Sequence, residues 1–138
     1  TYQYRYSTQL LGSVDLFHEA PIIVGVFSSP EHSIRRQVIR ESWSKNRRVF
    51  FILSGHWNDV SDEFHTFGDI LWMDMSKAQG FESSVVGTIQ SSMFAHALEE
   101  HVESYSYMGL TDDDNYIDMD KVEILLHLYR PDYWGGCN

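Results

Sequence analysis

The chain has 138 residues, 43% of them hydrophobic and 22% charged, which is enough for one domain with its own core and too few for two ordinary domains. Acidic side chains outnumber basic ones by 20 to 10, and the net charge is −10 with histidine neutral. Such a surface repels nucleic acid and anionic lipid unless its few cations are concentrated in one place, so we expect no nucleic-acid partner. No apolar run approaches the ~18 residues of a membrane span, so any membrane attachment would need an anchor outside this chain.

Apolar runs alternate with more polar segments in the first half of the chain. Three continuous runs of strand length predict buried strands, at residues 21–28, 49–53 and 69–73. Ser33 is a plausible N-cap for a helix that reaches about Lys45. Between the second and third strands lies a polar stretch, residues 56–67.

The second half of the chain predicts two helices and a strand, the helices at residues 83–103 and 122–128 and the strand at 105–111. An extended segment begins at residue 116, and Asp118 or Asp120 would cap the last helix. Strands that are apolar throughout are buried on both faces. Separated by helices, they predict an α/β fold with a mostly parallel sheet flanked by helices.

Basic residues are concentrated in and after the first predicted helix, where six of the ten lie between positions 35 and 48. On a helical wheel Arg35 falls between Val38 and Ile39, on the side predicted to face the sheet. An arginine that points inward needs a carboxylate or a ligand phosphate as its partner. Both alternatives, a structural ion pair and an anion site, remain open for Arg35.

Arg36 and Arg40 lie one turn apart on another face of the same predicted helix. We expect them to form surface ion pairs with Glu31 and Glu41. The alternative for these two arginines is an anion-binding role like the one considered for Arg35.

The adjacent carboxylates of Asp112, Asp113 and Asp114 are the strongest local signal. They repel one another, and a hard divalent cation such as Mn²⁺ or Mg²⁺ would offset that cost. The triplet directly follows a predicted strand, at the edge of an α/β sheet where ligands bind. In an extended segment Asp112 and Asp114 point the same way and could share one metal. The alternative is an acidic turn that caps the next helix.

Other site patterns are excluded. A calcium loop starting at Asp112 would place Tyr116 and Ile117 at its fifth and sixth positions, where an oxygen ligand and a glycine are needed. The histidines show no zinc-ligand spacing, and the GxSxG, GxGxxG and P-loop patterns are absent.

The order of the segments resembles glycosyltransferase family 31, the β1,3-galactosyltransferase type. That family has the signature RRxxIRxTW, then FLLG, a YGDI segment and a (K/T)DDDxF(V/I) motif. Here the corresponding segments read RRQVIRESW, FFILSG, FGDILWMDM and TDDDNYID. The similarity spans roughly residues 21–136.

This resemblance implies a GT-A-type, Rossmann-like fold, with residues 1–19 as a lead-in and residues 20–138 as the UDP-sugar-binding portion of a longer catalytic domain. It implies inverting transfer of galactose or an N-acetylhexosamine from a UDP-sugar donor to a glycan or glycoprotein acceptor. Mn²⁺ is the implied cofactor, with Mg²⁺ as the alternative. The general base is expected beyond residue 138, and the full-length protein is expected to be a type II membrane protein in the Golgi lumen.

The resemblance also assigns roles to individual residues. Asp112 and Asp114 would hold the metal, with Asp114 as its direct ligand. Arg35, Arg36, Asp112 and Asp113 would contact the nucleotide sugar. Two other interpretations remain: a truncated or degenerate relative that binds nucleotide weakly or acts as a partner subunit, and a metal-binding α/β domain unrelated to sugar transfer.

Overall fold

A computed structural model of the chain describes residues 4–5, 22–45, 47–99 and 107–132. Most of the predicted lead-in, residues 1–19, and the closing segment with Cys137 lie outside the described residues. None of the helices within the described ranges is long and apolar enough to cross a membrane.

The described residues form five strands and four α-helices. The strands are β1 (Tyr4–Arg5), β2 (Ile22–Phe27), β3 (Arg48–Leu53), β4 (Ile70–Met73) and β5 (Tyr107–Asp112). The α-helices are α1 (Ser33–Glu41), α2 (Trp57–Phe67), α3 (Ser83–Leu98) and α4 (Met119–Tyr129), and short 3₁₀ turns cover Pro30–His32 and Ser76–Ala78. The predicted strands at 21–28, 49–53, 69–73 and 105–111 are therefore confirmed over their described residues, and residues 21, 105 and 106 lie outside the described ranges. The segment at residues 115–118, predicted to be extended from residue 116, forms no helix or strand.

The sheet has the order β1-β4-β3-β2-β5, and all neighbouring strands are parallel except the short β1, which is antiparallel to β4. The chain moves outward from β2 to β3 and β4, and then returns to place β5 on the other side of β2. The strand order thus reverses between β2 and β5, and ligands bind in open parallel sheets at such a reversal. The predicted α/β fold with a mostly parallel sheet is confirmed.

Helices cover both faces of the sheet. Val24 and Val26 of β2 pack in one layer, which includes residues from α1, α2 and α4, whereas Ile23 packs in the opposite layer with α3. At Gly25 the contact with α3 is too close for a side chain, because an added Cβ would lie 2.9 Å from the ring of Phe94. Burial on both faces explains why the strands are apolar throughout.

Helix α2 forms within residues 56–67, for which the sequence predicts only a polar stretch, so that prediction was incomplete. Trp57, Val60 and Phe64 repeat at helical spacing and pack in the layer shared with α1 and α4. The helix ends at Gly68, whose φ of 68° is left-handed and whose N–H donates to the carbonyl of Phe64. Glu63 also faces inward, where it accepts hydrogen bonds from Arg36, and its charge weakens the apolar pattern.

Candidate functional site

A cleft opens at the carboxyl ends of β2 and β5, where the strand order reverses. The parallel register pairs Phe27 with Asp112, so the residues that follow the two strands face each other. The cleft has a volume of ≈ 290 Å³ and is lined by Phe27, Ser28, Ser29, His32, Asp112, Asp113 and Asp114. All three carboxylates of the acidic triplet thus lie at the predicted edge of the sheet.

The middle carboxylate, Asp113, is held inside the protein. Its side chain is 7% exposed and accepts hydrogen bonds from Ser28 Oγ at 2.8 Å, His32 Nδ1 at 2.8 Å and Arg35 Nη1 at 3.0 Å. Burial acts to raise the pKa of Asp113, but the hydrogen bonds from these three donors hold it below its usual value. We therefore assign Asp113 as an ionised acceptor and place a proton on His32 Nδ1.

The outer carboxylates, Asp112 and Asp114, are exposed at the cleft. In an extended segment the side chain of Asp113 points away from those of Asp112 and Asp114, which agrees with this burial pattern. Neither outer carboxylate forms an ion pair with another described residue. In the described part of the chain no three His, Cys, Asp or Glu side chains converge as a metal site. Two carboxylates suit a cation of the Mn²⁺ or Mg²⁺ type, which takes its other ligands from water and phosphate.

Helix α1 presents a different face to the sheet from the one predicted. Arg35 is 50% exposed and contacts Asp113 at the cleft, so its predicted inward position was wrong. Arg36 and Ile39 are the buried residues of the helix, whereas Ile34 and Val38 are exposed although they are apolar. Two of the three apolar residues of α1, Ile34 and Val38, therefore indicated the wrong face.

Arg36 is fully buried, with a side chain 1% exposed. Its Nε and Nη2 donate to both carboxylate oxygens of Glu63, at 2.6 and 2.8 Å. Its remaining hydrogen bonds go to the loop after β2: to Ser28 Oγ at 3.1 Å, to the carbonyl of Pro30 at 3.1 Å and to the carbonyl of Ser29. Arg36 thus fixes the loop that forms one wall of the cleft.

Arg40 extends this network. It donates to both oxygens of Asp69 at 2.7 and 2.8 Å and to Glu63 at 2.8 Å, so the predicted surface pairs with Glu31 and Glu41 were wrong. Burial opposes ionisation of Glu63, but its hydrogen bonds with the two arginines hold its pKa below the usual range. Burial likewise opposes the charge of Arg40, and the hydrogen bonds to Asp69 and Glu63 raise its pKa.

The turn after the triplet is fixed separately from the cleft. Trp43 Nε1 donates to the carbonyl of Asn115 at 3.1 Å, and Asn115 Nδ2 donates to Thr111 Oγ1 at 3.0 Å. Helix α4 is capped by Asp118, whose side chain accepts from the backbone N–H of Lys121 at 3.1 Å. Asp118 rather than the acidic triplet therefore caps the next helix.

Three residues of this arrangement were missed from the sequence. From the sequence, Ser28 is only the last residue of a predicted strand, His32 is only one of the histidines without zinc-ligand spacing, and Glu63 lies in a polar stretch. Ser28 directly follows β2, but its position against Asp113 depends on the pairing of β2 with β5. No local pattern in the sequence contains that register.

The chain matches no protein-family model, and no curated protein is significantly similar to it. The resemblance to glycosyltransferase family 31 therefore rests on the order and spacing of the motifs themselves.

Proposed function

We propose that this chain is the nucleotide-binding part of an inverting, GT-A-type glycosyltransferase that takes galactose or an N-acetylhexosamine from a UDP-sugar. The observation that carries the proposal is the position of Asp112 and Asp114, two exposed carboxylates beside a cleft at the reversal of a parallel sheet. The ordered motifs RRQVIRESW and TDDDNYID support the same conclusion.

Charge is the main difficulty for a protein of net charge −10 that binds a diphosphate. Asp112 and Asp114 would hold Mn²⁺, or Mg²⁺ as the alternative, whose remaining positions accept phosphate oxygens. When bound, the cation would act as a Lewis acid that offsets the charge on the departing UDP.

The other residues of the cleft have distinct tasks in this proposal. Arg35 is half exposed and donates one N–H to Asp113, so the guanidinium has further donors for a phosphate. Asp113, predicted as a nucleotide contact, would act mainly by holding Ser28, His32 and Arg35 in place. Arg36, predicted as another contact, would support the loop from inside, because its side chain is 1% exposed.

We assign no described residue as the general base. By resemblance, the base and the contacts to a glycan or glycoprotein acceptor would belong to a part of the protein beyond residue 138. By the same resemblance, the full-length protein would lie in the Golgi lumen with an anchor outside this chain.

The test is calorimetric titration of UDP into the chain with and without Mn²⁺. We expect binding that requires Mn²⁺ and that weakens at least about tenfold in Asp114→Asn, since even residues behind a metal ligand change affinity by this much. The matched control is Asp62→Asn, which removes one negative charge from an exposed position on α2 and should leave the affinity within about twofold.

The other outcomes separate the remaining interpretations. UDP binding that is independent of Mn²⁺ and unaffected by Asp114→Asn would refute the metal site. Mn²⁺ binding with no preference for UDP over other nucleotides would favour a metal-binding domain unrelated to sugar transfer. Normal UDP binding by a full-length protein that does not turn over UDP-sugars would favour a non-catalytic relative.

A further inference from the structure

The buried guanidinium of Arg36 holds the loop that lines the cleft by donating hydrogen bonds to it. Arg36 is 1% exposed, and a charge in that environment is stable only with a close partner. Glu63 of α2 is this partner, since its carboxylate accepts two hydrogen bonds from Arg36. The loop after β2 supplies the other acceptors. The position of the guanidinium is therefore set by a carboxylate outside the lining of the cleft.

The hydrogen bonds continue from Arg36 to the acidic triplet in a fixed direction. A guanidinium can only donate and an ionised carboxylate can only accept. The hydroxyl of Ser28 lies between the two, 3.1 Å from Arg36 Nη1 and 2.8 Å from Asp113 Oδ2. It must therefore accept from Arg36 and give its single proton to Asp113.

The orientation of Asp113 affects its neighbours in the chain. Asp113 directly links Asp112 to Asp114, and its carboxylate faces into the protein while theirs are exposed at the cleft. If the bond from Ser28 is lost, Asp113 keeps, among its contacts with described residues, those with His32 and Arg35, whose side chains are 32% and 50% exposed. The backbone that presents the outer carboxylates would then be less constrained.

We propose that Glu63 is a positioning residue for the cleft, acting through Arg36 and Ser28 to fix Asp113 and the two carboxylates beside it. The consequence for Mn²⁺ and UDP rests on the proposed function. The consequence for how rigidly the loop and the triplet are held does not rest on the proposed function.

Asp69 provides a matched control within the same ionic network. It forms two hydrogen bonds with Arg40, as Glu63 does with Arg36, but none with Arg36 itself among the described contacts. Glu63→Gln and Asp69→Asn are therefore the same chemical change at two sites. Glu63 bonds Arg36 directly, whereas Asp69 reaches Arg36 only through Arg40 and Glu63.

The first measurement is amide hydrogen exchange at residues 28–32 and 112–115 in the protein without ligand, at a temperature where every variant is folded. We expect exchange there to rise about tenfold or more in Glu63→Gln, and to change less than twofold in Asp69→Asn. The second is UDP affinity with Mn²⁺, which should fall about tenfold in Glu63→Gln and remain within twofold in Asp69→Asn.

A double-mutant cycle separates positioning from a general loss of stability. Ser28→Ala cuts the connection to Asp113 without changing the ion pair, so it should reproduce most of the loss of UDP affinity. Adding Glu63→Gln to Ser28→Ala should then cause little further loss. If Glu63→Gln does not fold, Ser28→Ala alone should still raise exchange at residues 112–115.

Equal effects of Glu63→Gln and Asp69→Asn on exchange, or fully additive effects of Ser28→Ala and Glu63→Gln on affinity, would overturn the proposal. So would unchanged exchange at residues 112–115 in Ser28→Ala. If the unmodified protein does not bind UDP with Mn²⁺, the proposed function fails. The exchange measurement then decides the positioning role by itself.

Discussion

The ionic network around Glu63 should make a large and pH-dependent contribution to stability. We expect Glu63→Gln to lower the free energy of unfolding by about 3 kcal/mol at pH 7. For a domain of this size, such a loss lowers the melting temperature by roughly 10 °C. The protein should remain folded at room temperature, because the stability of natural domains is about 5–15 kcal/mol.

The magnitude follows from three hydrogen bonds. The Glu63 carboxylate accepts from Arg36 Nε at 2.6 Å, Arg36 Nη2 at 2.8 Å and Arg40 Nη2 at 2.8 Å. A glutamine oxygen at the Oε2 position keeps two of these bonds without the charge, which weakens each by about 1 kcal/mol. The amide nitrogen at the Oε1 position faces the N–H of Arg36, so the third bond is lost at a cost of about 1–1.5 kcal/mol.

The pH dependence has a definite sign. The pKa of Glu63 is lower in the folded state than the value of about 4.3 for an unfolded chain, because the arginine hydrogen bonds outweigh the effect of burial. The carboxylate therefore contributes stability above about pH 4.3, and this contribution is lost as the pH falls through the folded pKa. Glutamine does not titrate, so the difference in free energy of unfolding between the original protein and Glu63→Gln should shrink below about pH 4.

The assay is urea unfolding of both proteins at several values between about pH 3 and pH 7, by circular dichroism. The control is Glu41→Gln, the same change at an exposed residue that bonds only Gln37 among the described contacts, and it should stay within about 0.5 kcal/mol of the original. A loss below about 1 kcal/mol at pH 7, or one of equal size at pH 3 and pH 7, would refute the reasoning.

Three further predictions concern packing, helix propensity and helix capping, and all are measured by urea unfolding. Gly25→Ala should lose about 1–3 kcal/mol, because the new Cβ would lie 2.8 Å from Ile52 Cδ1 and 2.9 Å from Phe94. At Gly87 in α3 an added Cβ meets nothing within 4 Å, so Gly87→Ala should raise the free energy of unfolding by about 0.5–1 kcal/mol, because alanine favours a helix more than glycine does. A more stable Gly25→Ala variant, or a less stable Gly87→Ala variant, would contradict these two predictions. Asp118→Ala should cost about 1 kcal/mol by removing the cap of α4, whereas Asp118→Asn should retain most of the stability; equal losses would exclude the cap.

Much of the sheet can be predicted from local sequence. The runs that form β2, β3 and β4 are apolar at nearly every position, because these strands are buried on both faces. The acidic triplet marks the carboxyl end of β5 for the opposite reason, since three adjacent carboxylates are costly to bury and the outer two are exposed there. The α/β class and the location of the candidate site follow from these two patterns.

The orientation of α1 cannot be predicted from its own residues. Ile34 and Val38 are apolar but exposed, whereas Arg36 is charged but buried. A cation is stable at that position only because Glu63, 27 residues away in the sequence, supplies a carboxylate. The helix that carries Glu63 was itself missed, since its inward face includes this charged residue.

The amino-acid sequence by itself determined the parallel sheet, the acidic triplet at its carboxyl edge and the resemblance to family 31. The alternation of an extended segment separates Asp113 from Asp112 and Asp114, but only the tertiary structure decided that Asp113 is the carboxylate held inside, by Ser28, His32 and Arg35. Ser28 and Asp113 are 85 residues apart, and the register of β2 against β5 brings them to 2.8 Å. Hydrogen bonds of this kind depend on distance in space, and local sequence patterns carry no information about that distance.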